Sequence, residues 1–201
     1  SESMQLSSNN FSSCIQMSST PSASNTNKTF SVATSDNLSS ETTYKTRITT
    51  GVKDLAGNAL GSTYTTSSGF TTADITAPTL SQVTAVPTPT NDNTSDYTFS
   101  SSEAGTITYG GSCSSDNTSA TIDNNTVTFN AMADGTYDNC TISVTDSASN
   151  ASSTLDVNTF VVDTTTPTVS SISPTDNQSV VSISNNISVT FSEAMDNTSV
   201  T

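Results

Sequence analysis

The chain has 201 residues, a formal net charge of −14, 31% hydrophobic residues, and neither Trp nor His. Its length accommodates about two domains. Only four residues are Lys or Arg, which excludes a nucleic-acid partner because phosphate neutralisation requires many cations. No apolar run approaches the roughly 20 residues of a membrane span. Without His there is no ordinary general base near neutral pH, and the carboxylates are scattered, so we expect no enzyme.

Low hydrophobicity and high net charge are also typical of disordered chains. Here, however, apolar residues alternate regularly with Ser and Thr, for example in ISVTF at residues 187–191. This period of two indicates strands with one buried face and one face in water. No window has sustained helical periodicity, so we predict an all-β protein.

Residues 1–73 are predicted to contain strands and turns only. Residues 51–58, GVKDLAGN, form a turn-rich hairpin connection. Alternation places the candidate strands at residues 11–17, 29–32, 44–50 and 64–71.

Two similar segments, residues 70–79 and 160–168, are predicted to be domain junctions. Each has an aromatic strand end, an Asp, a Thr-rich spacer and then Pro-Thr. Between them, short strands separated by turns at residues 123–125 and 133–135 predict a β-sandwich, with a seven-strand barrel as the alternative. The candidate strands are residues 80–86, 96–101, 105–109, 120–122, 126–130, 137–145 and 153–162.

Residues 168–201 are predicted to open a new domain with strands near 180–184 and 187–191. This segment lacks later strands, whereas residues 1–73 lack early ones. The SEAM sequence at 192–195 also resembles SESM at 1–4, an offset of about 190 residues. We therefore predict one complete sandwich at 74–167 and one split between the ends, 1–73 and 168–201.

FSEAMD at 191–196 and GVKDLAGN at 51–58 resemble a bacterial Ig-like domain of surface-layer proteins and large adhesins. The middle segment, from CTISVTDSASN at 140–150 onward, is similar to a second bacterial Ig-like repeat type. The resemblance implies tandem Ig-like sandwiches in a secreted, cell-surface protein. It implies no particular receptor.

Three cysteines bear on the fold. Cys113 and Cys140 lie at strand ends of the same predicted domain, which favours a disulfide; two unpaired core thiols are the alternative. Cys14 lies among apolar residues of a predicted strand, so we expect a buried unpaired thiol, with an intermolecular bridge as the alternative.

Two Asp-x-x-x-Asn motifs and two junction aspartates are candidate metal ligands, because Ca²⁺ prefers oxygen ligands. The resemblance adds that similar adhesin domains are often rigidified by Ca²⁺ at their linkers. Turn formation by Asp and Asn is the favoured interpretation, so we expect no cofactor, with Ca²⁺ as the alternative. The six residues are Asp54, Asn58, Asp74, Asp146, Asn150 and Asp163.

We predict a structural repeat unit of an extracellular bacterial fibre or adhesin stalk. The alternative is a carbohydrate- or ligand-binding adhesin module, for which Tyr109 and Tyr137 are the only candidate aromatic residues. Incomplete sandwiches at the two ends predict head-to-tail contacts with further copies or adjacent repeats. Ile187, Val189 and Phe191 would pack against residues 1–73 of the next copy. Without such a contact, we expect water-facing side chains at Phe11, Phe30, Tyr44 and Ile48.

Overall fold

The structure is a computed structural model that describes residues 3–201. Ser1 and Glu2, where the predicted SESM repeat begins, lie outside the described residues. The described chain forms seventeen β-strands and no helix, so the all-β prediction is confirmed. In particular, residues 3–201 include no helix long and apolar enough to cross a membrane.

The chain divides into two compact units. The first comprises the residues up to Pro78 together with Thr145–Ser152, and the second comprises Thr79–Val144 and Ser153–Thr201. We call the first unit's residues 3–73 the head.

The head forms one four-stranded sheet and one short hairpin. In the sheet, β4 pairs with β1, β5 and β6, while β2 and β3 form the hairpin. The strands are β1 (Met4–Ser7), β2 (Ser22–Ser24), β3 (Thr29–Ser31), β4 (Thr43–Ile48), β5 (Tyr64–Thr65) and β6 (Phe70–Thr71).

The head has a thin core in which Tyr44 is buried and its ring stacks on Phe70 at 5.9 Å. The expectation that Tyr44 faces water is therefore wrong, because β6 pairs beside β4 and places the Phe70 ring directly opposite that of Tyr44. Phe11 and Ile48 are half-buried, whereas Phe30 is exposed as expected. The head thus buries little of its apolar surface.

Two predicted strands of the head are interrupted. Residues 11–17 form no strand, because Asn10 and Phe11 adopt left-handed backbone conformations that turn the chain. The strand predicted at 64–71 is divided into β5 and β6 near Gly69, which has a positive φ. A side chain at Gly69 would collide with the Tyr44 carbonyl oxygen, so glycine lets β6 approach β4 closely.

The second unit contains a sandwich made by β7–β15, which we call the middle sandwich. One sheet has the order β10-β9-β13-β14 and the other β11-β8-β7, with β12 paired to β15. The strands are β7 (Leu80–Thr84), β8 (Asp96–Ser101), β9 (Gly105–Gly110), β10 (Ser119–Ala120), β11 (Asp123–Thr128), β12 (Gly135–Tyr137), β13 (Thr141–Thr145), β14 (Leu155–Asp156) and β15 (Phe160–Val162).

These separate sheets make a sandwich with Ig-like strand order, and the barrel alternative is wrong. Alternation explains its core: Tyr97 and Phe99 of β8 are fully buried, with polar residues between them facing outward. The Phe129 ring lies 6.2 Å from that of Tyr97 and 6.3 Å from that of Phe160. Large stacked rings allow a small number of apolar residues to fill this core.

Three predictions for the middle sandwich differ from the structure. The turn predicted at residues 123–125 is the start of β11. Asn125 is buried there, and its amide donates to the carbonyls of Thr121 and Asp123. The strands predicted at 137–145 and 153–162 are each divided in two.

A final hairpin, which we call the tail hairpin, consists of β16 (Val169–Ser173) and β17 (Ser188–Phe191). The strand predicted near 180–184 is wrong, since Val180 is exposed and left-handed. The strand that pairs with β17 is instead β16, for which the sequence pattern predicted no strand.

The structure joins Cys113 to Cys140 by a disulfide, the pairing favoured by the sequence. The bridge connects the segment after β9 to the residue before β13, and these two strands are neighbours in one sheet. Cys14 is unpaired and exposed, so the expected buried thiol is wrong. Because residues 11–17 turn instead of extending, the Cys14 side chain has no sheet to pack under.

We predict that replacing both Cys113 and Cys140 by Ser lowers the free energy of unfolding by about 3 kcal/mol, because a bridge between residues 27 apart restricts the unfolded chain. Chemical denaturation of the second unit's core, followed by Tyr fluorescence, measures this loss. The matched control, Cys14→Ser, should leave unfolding unchanged. Equal stability of the double variant and the control would contradict a stabilising disulfide.

Candidate functional site

The linker at residues 73–79 is held by its own aspartate and by one serine of the head. Asp74 Oδ1 accepts the Thr76 N–H at 2.9 Å, which closes a short turn. Ser40 Oγ donates to the Ala73 carbonyl at 3.1 Å and accepts the Ile75 N–H at 3.0 Å. These bonds fix the start of the linker on the first unit.

The linker at residues 163–168 uses the same turn, because Asp163 Oδ1 accepts the Thr165 N–H at 3.1 Å. Its anchor is Asp134, whose oxygens accept the Thr164 N–H at 2.9 Å and the Thr164 and Thr165 hydroxyls at 2.7 Å each. The Thr164 hydroxyl and then the Thr165 hydroxyl hold the pKa of Asp134 below its ordinary value. The carboxylate therefore stays ionised and retains all three bonds near neutral pH.

Asp134 was predicted from the sequence only as part of a turn at residues 133–135. Its three donors lie about thirty residues later in the chain, and no spacing rule connects such positions. The only available signal was the Thr-rich spacer after Asp163, which supplies hydroxyl donors.

Asp54 and Asn58 form a closed turn in the head. Asp54 Oδ1 accepts the backbone N–H groups of Ala56 at 2.9 Å and Asn58 at 2.8 Å, and Oδ2 accepts the Asn58 amide at 2.9 Å. The Asn58 side chain, followed by its backbone N–H, holds the pKa of Asp54 below its ordinary value. Both carboxylate oxygens are thus engaged within the turn.

Asp146 and Asn150 repeat this arrangement, with the Asn150 N–H on Oδ1 and its amide on Oδ2, both at 2.8 Å. Burial raises the pKa of Asp146, but the bonds from Asn150 outweigh burial and the pKa lies below its ordinary value. The Asn150 amide also donates to the Asp74 carbonyl at 3.3 Å. This bond connects the turn with the first linker.

The structure brings Asp74, Asp146 and Asn150 together, with carboxylate oxygens of the two aspartates within 4.8 Å of each other. Asp54 and Asn58 form their own turn, and Asp163 lies in the second unit. In both Asp-x-x-x-Asn motifs the Asn nitrogen, which cannot ligate a cation, faces the carboxylate. These donor sets fit a turn better than a Ca²⁺ site, and the Ca²⁺ alternative stays a prediction.

Ile187, Val189 and Phe191 lie on or beside β17, at one face of the tail hairpin. Phe191 is opposite Val169, and Val189 is opposite Ile172. Val169 and Ile172 are three residues apart in β16, and a register shift between Val169 and Ser171 places both of them on this same face. Ile187 is 84% exposed and Val189 46% exposed, so an apolar hairpin face is open to solvent.

We predict that chelation by EDTA and addition of millimolar CaCl₂ leave the thermal unfolding of the chain unchanged, because turn hydrogen bonds occupy the carboxylates of Asp54 and Asp146. Differential scanning calorimetry in the two buffers tests this. A Ca²⁺-dependent rise in melting temperature that disappears in Asp74→Asn would contradict the prediction and assign an ion to the Asp74–Asp146 pair.

We predict that Asp134→Ala frees the second linker, because three hydrogen bonds to Thr164 and Thr165 disappear. Limited proteolysis should then cut within residues 163–168 several-fold faster than in the unaltered chain. Asp138→Ala, which removes a nearby exposed carboxylate, is the matched control. Equal cleavage rates in the two variants would show that Asp134 does not hold the linker.

Comparison with known protein families gives one match. The model of the family described as "Bacterial Ig-like domain" matches residues 1–72 and 163–201, which together make up more than half of the chain. Domains of this family are generally found on bacterial surface proteins. No curated protein and no solved structure matches the chain. The family match agrees with the resemblance seen in FSEAMD and GVKDLAGN, and the chain belongs to the bacterial Ig-like domain family.

Proposed function

We propose that the chain is a structural repeat unit of an extracellular bacterial surface fibre or adhesin stalk that assembles head to tail. The observation that carries this proposal is the placement of the family match, which lies on both ends and flanks the middle sandwich. In this proposal, the tail hairpin contributes the first two strands of such a domain and the head contributes later ones.

The tail hairpin is equivalent to the first hairpin of the middle sandwich, β7–β8. In β7–β8, Thr79 N–H donates to Ser102 Oγ at 2.9 Å and Ser102 N–H donates to the Thr79 carbonyl at 3.0 Å. Thr168 and Ser192 make the same two bonds at 2.9 and 2.8 Å. Each hairpin follows a Pro-Thr junction and precedes Glu-Ala. This likeness supports the inference that each hairpin starts a domain.

This equivalence indicates what the tail hairpin lacks. Aligning Ser192 with Ser102 places Ile187 at the position of Tyr97 and Val189 at that of Phe99. Tyr97 and Phe99 have no exposed surface, whereas Ile187 is mostly exposed and Val189 is about half exposed. Covering such side chains stabilises a sheet by roughly 25 cal/mol per Å² of apolar surface. A covering partner for the tail hairpin is thus energetically favoured.

The surface composition supports an extracellular, extended role. The chain has 18 acidic and 4 basic residues, so repeats of this kind repel one another except at specific contacts. The disulfide between Cys113 and Cys140 is typical of an oxidising compartment. The two anchored linkers would limit bending between successive sandwiches.

The alternative, a carbohydrate-binding adhesin module, has less support. Tyr109 packs edge-on against Phe129 and donates its hydroxyl to the Asn117 carbonyl at 2.6 Å. Tyr137 stacks on Phe160 at 5.2 Å and donates to the Ala133 carbonyl at 3.0 Å. Both rings are engaged within their own sandwich, and neither offers a free face with an unused hydroxyl.

We predict that Val189→Asp abolishes linear oligomers of the chain, because a charge on the tail hairpin cannot be buried against a partner. Sedimentation velocity and negative-stain electron microscopy over a concentration series measure the oligomers. Val83→Asp is the matched control, since Val83 is 47% exposed and lies on β7, outside the tail hairpin. Oligomers that persist in Val189→Asp, or that disappear equally in both variants, would contradict the proposal.

A further inference from the structure

The two Asp-x-x-x-Asn turns, which we call the head turn (residues 54–58) and the middle turn (residues 146–150), have the same backbone hydrogen bonds. In the head turn, the Asp54 N–H donates to the Asn58 carbonyl at 2.9 Å, and the Gly57 N–H donates to the Asp54 carbonyl at 3.1 Å. The corresponding bonds of the middle turn measure 3.0 and 3.3 Å. The fourth residue of each turn has a positive φ. The two turns therefore have the same shape.

The two linkers also correspond to each other. In each linker an Asp closes a turn by accepting the backbone N–H two residues later, and a Pro stands four residues after the Asp. Their exposure differs, however. In the first linker Pro78 is buried and Asp74 is half-buried, whereas Pro167 and Asp163 of the second linker are exposed. The first linker thus has a cover that the second lacks within the described residues.

The middle turn is held against the first linker. Residues 145–152 belong to the same compact unit as this linker. The Asn150 amide donates to Asp146 Oδ2 at 2.8 Å and also to the Asp74 carbonyl at 3.3 Å. Because an Asn side chain has two N–H donors, one amide can close the turn and hold the linker at the same time. Asp146 is buried and Asn150 is half-buried in this arrangement.

The head turn has the same donors but, among the described residues, no linker against it. The Asn58 amide donates to Asp54 Oδ2 at 2.9 Å, and both residues are exposed. The second N–H of this amide has no acceptor within the described chain, although its counterpart in the middle turn has one. The exposed second linker contains the matching acceptor, because the Asp163 carbonyl corresponds to that of Asp74.

We propose that the head turn of one copy docks on the second linker of another copy, with the Asn58 amide donating to the Asp163 carbonyl. This inference rests on the proposed head-to-tail assembly and names a contact within it. In the docked pair the linker precedes its turn along the chain, since residue 74 comes before residue 146. The second linker, in contrast, follows the head turn. A linker that lies before the head turn therefore comes from another copy.

Lys53 makes this docking compatible with the charges that it brings together. Carboxylate oxygens of Asp74 and Asp146 lie within 4.8 Å of each other in the docked pair. Docking of the second linker would place Asp163 equally close to the carboxylate of the head turn. Thr145 precedes the middle turn, whereas Lys53 precedes the head turn. The Lys53 ammonium group offsets part of the repulsion between the two carboxylates, and so favours a contact that no chain connection maintains.

Paramagnetic relaxation between two populations of the full chain, both with Cys14→Ser, tests this contact by NMR. One population carries a nitroxide spin label on Thr166→Cys, and the other is isotope-labelled and has no spin label. Thr166 is exposed in the second linker, and its replacement leaves the bonds between Asp134 and residues 164 and 165 in place. In a concentrated mixture the Asn58 side-chain amide should relax several-fold faster, because docking places the labelled linker beside it.

The matched control is the Asn150 side-chain amide in the same spectrum, because the middle turn is equivalent but already holds its own linker. The relaxation of this amide should stay constant. Equal acceleration at Asn58 and Asn150 would indicate random collisions and overturn the docking. If a dilute, monomeric chain that carries both labels already shows the effect at Asn58, the choice of a second copy as the partner is wrong.

Three further outcomes separate this inference from the proposed function. Filaments in micrographs without faster relaxation at Asn58 would overturn the docking while leaving the fibre proposal standing. Faster relaxation at Asn58 in dimers that never extend to filaments would support the docking and count against the fibre. An absence of oligomers at every concentration would overturn both.

Discussion

Each strand in this chain has a single apolar face, and that face must be covered by a second sheet before it contributes to stability. The middle sandwich meets this constraint because β8 and β11 lie in one sheet and β9 and β13 in the other, with Phe129 at the centre of the stacked rings. The head and the tail hairpin do not meet it on their own. In the proposed head-to-tail assembly, their exposed apolar residues would become the inner faces of a sandwich.

The alternation of apolar and polar residues predicted strands correctly where one face of the strand packs in a complete core and the other face lies outward. Asp96–Ser101 was predicted with its observed bounds because Tyr97, Phe99 and Ser101 all face the core. Prediction failed where backbone conformation overrides the pattern. Phe11 is apolar and precedes Ile15 and Met17, but its left-handed conformation turns the chain. Val180 is left-handed in the same way, and a residue's φ cannot be derived from alternating hydrophobicity.

The candidate sites were predictable to a similar degree. The bond between Cys113 and Cys140 followed from their places at strand ends, whereas Cys14 was misplaced together with its strand. The Asp-x-x-x-Asn spacing correctly located two turns, although sequence could not show which Asn atom faces the carboxylate. Asp134 was missed because tertiary folding alone brings the hydroxyls of residues 164 and 165 to it.

The tail hairpin and the head each leave apolar side chains exposed, Ile187 and Val189 in one and Phe30 in the other. The central claim is that a further copy covers the tail hairpin. NMR paramagnetic relaxation from a soluble probe tests it most directly, because it measures the solvent access of individual methyl groups. We expect the relaxation of the Ile187 and Val189 methyl groups to fall as chain concentration rises, while that of Val83, exposed on β7, stays constant. Relaxation at Ile187 and Val189 that is equally strong in dilute and concentrated solution would contradict the claim.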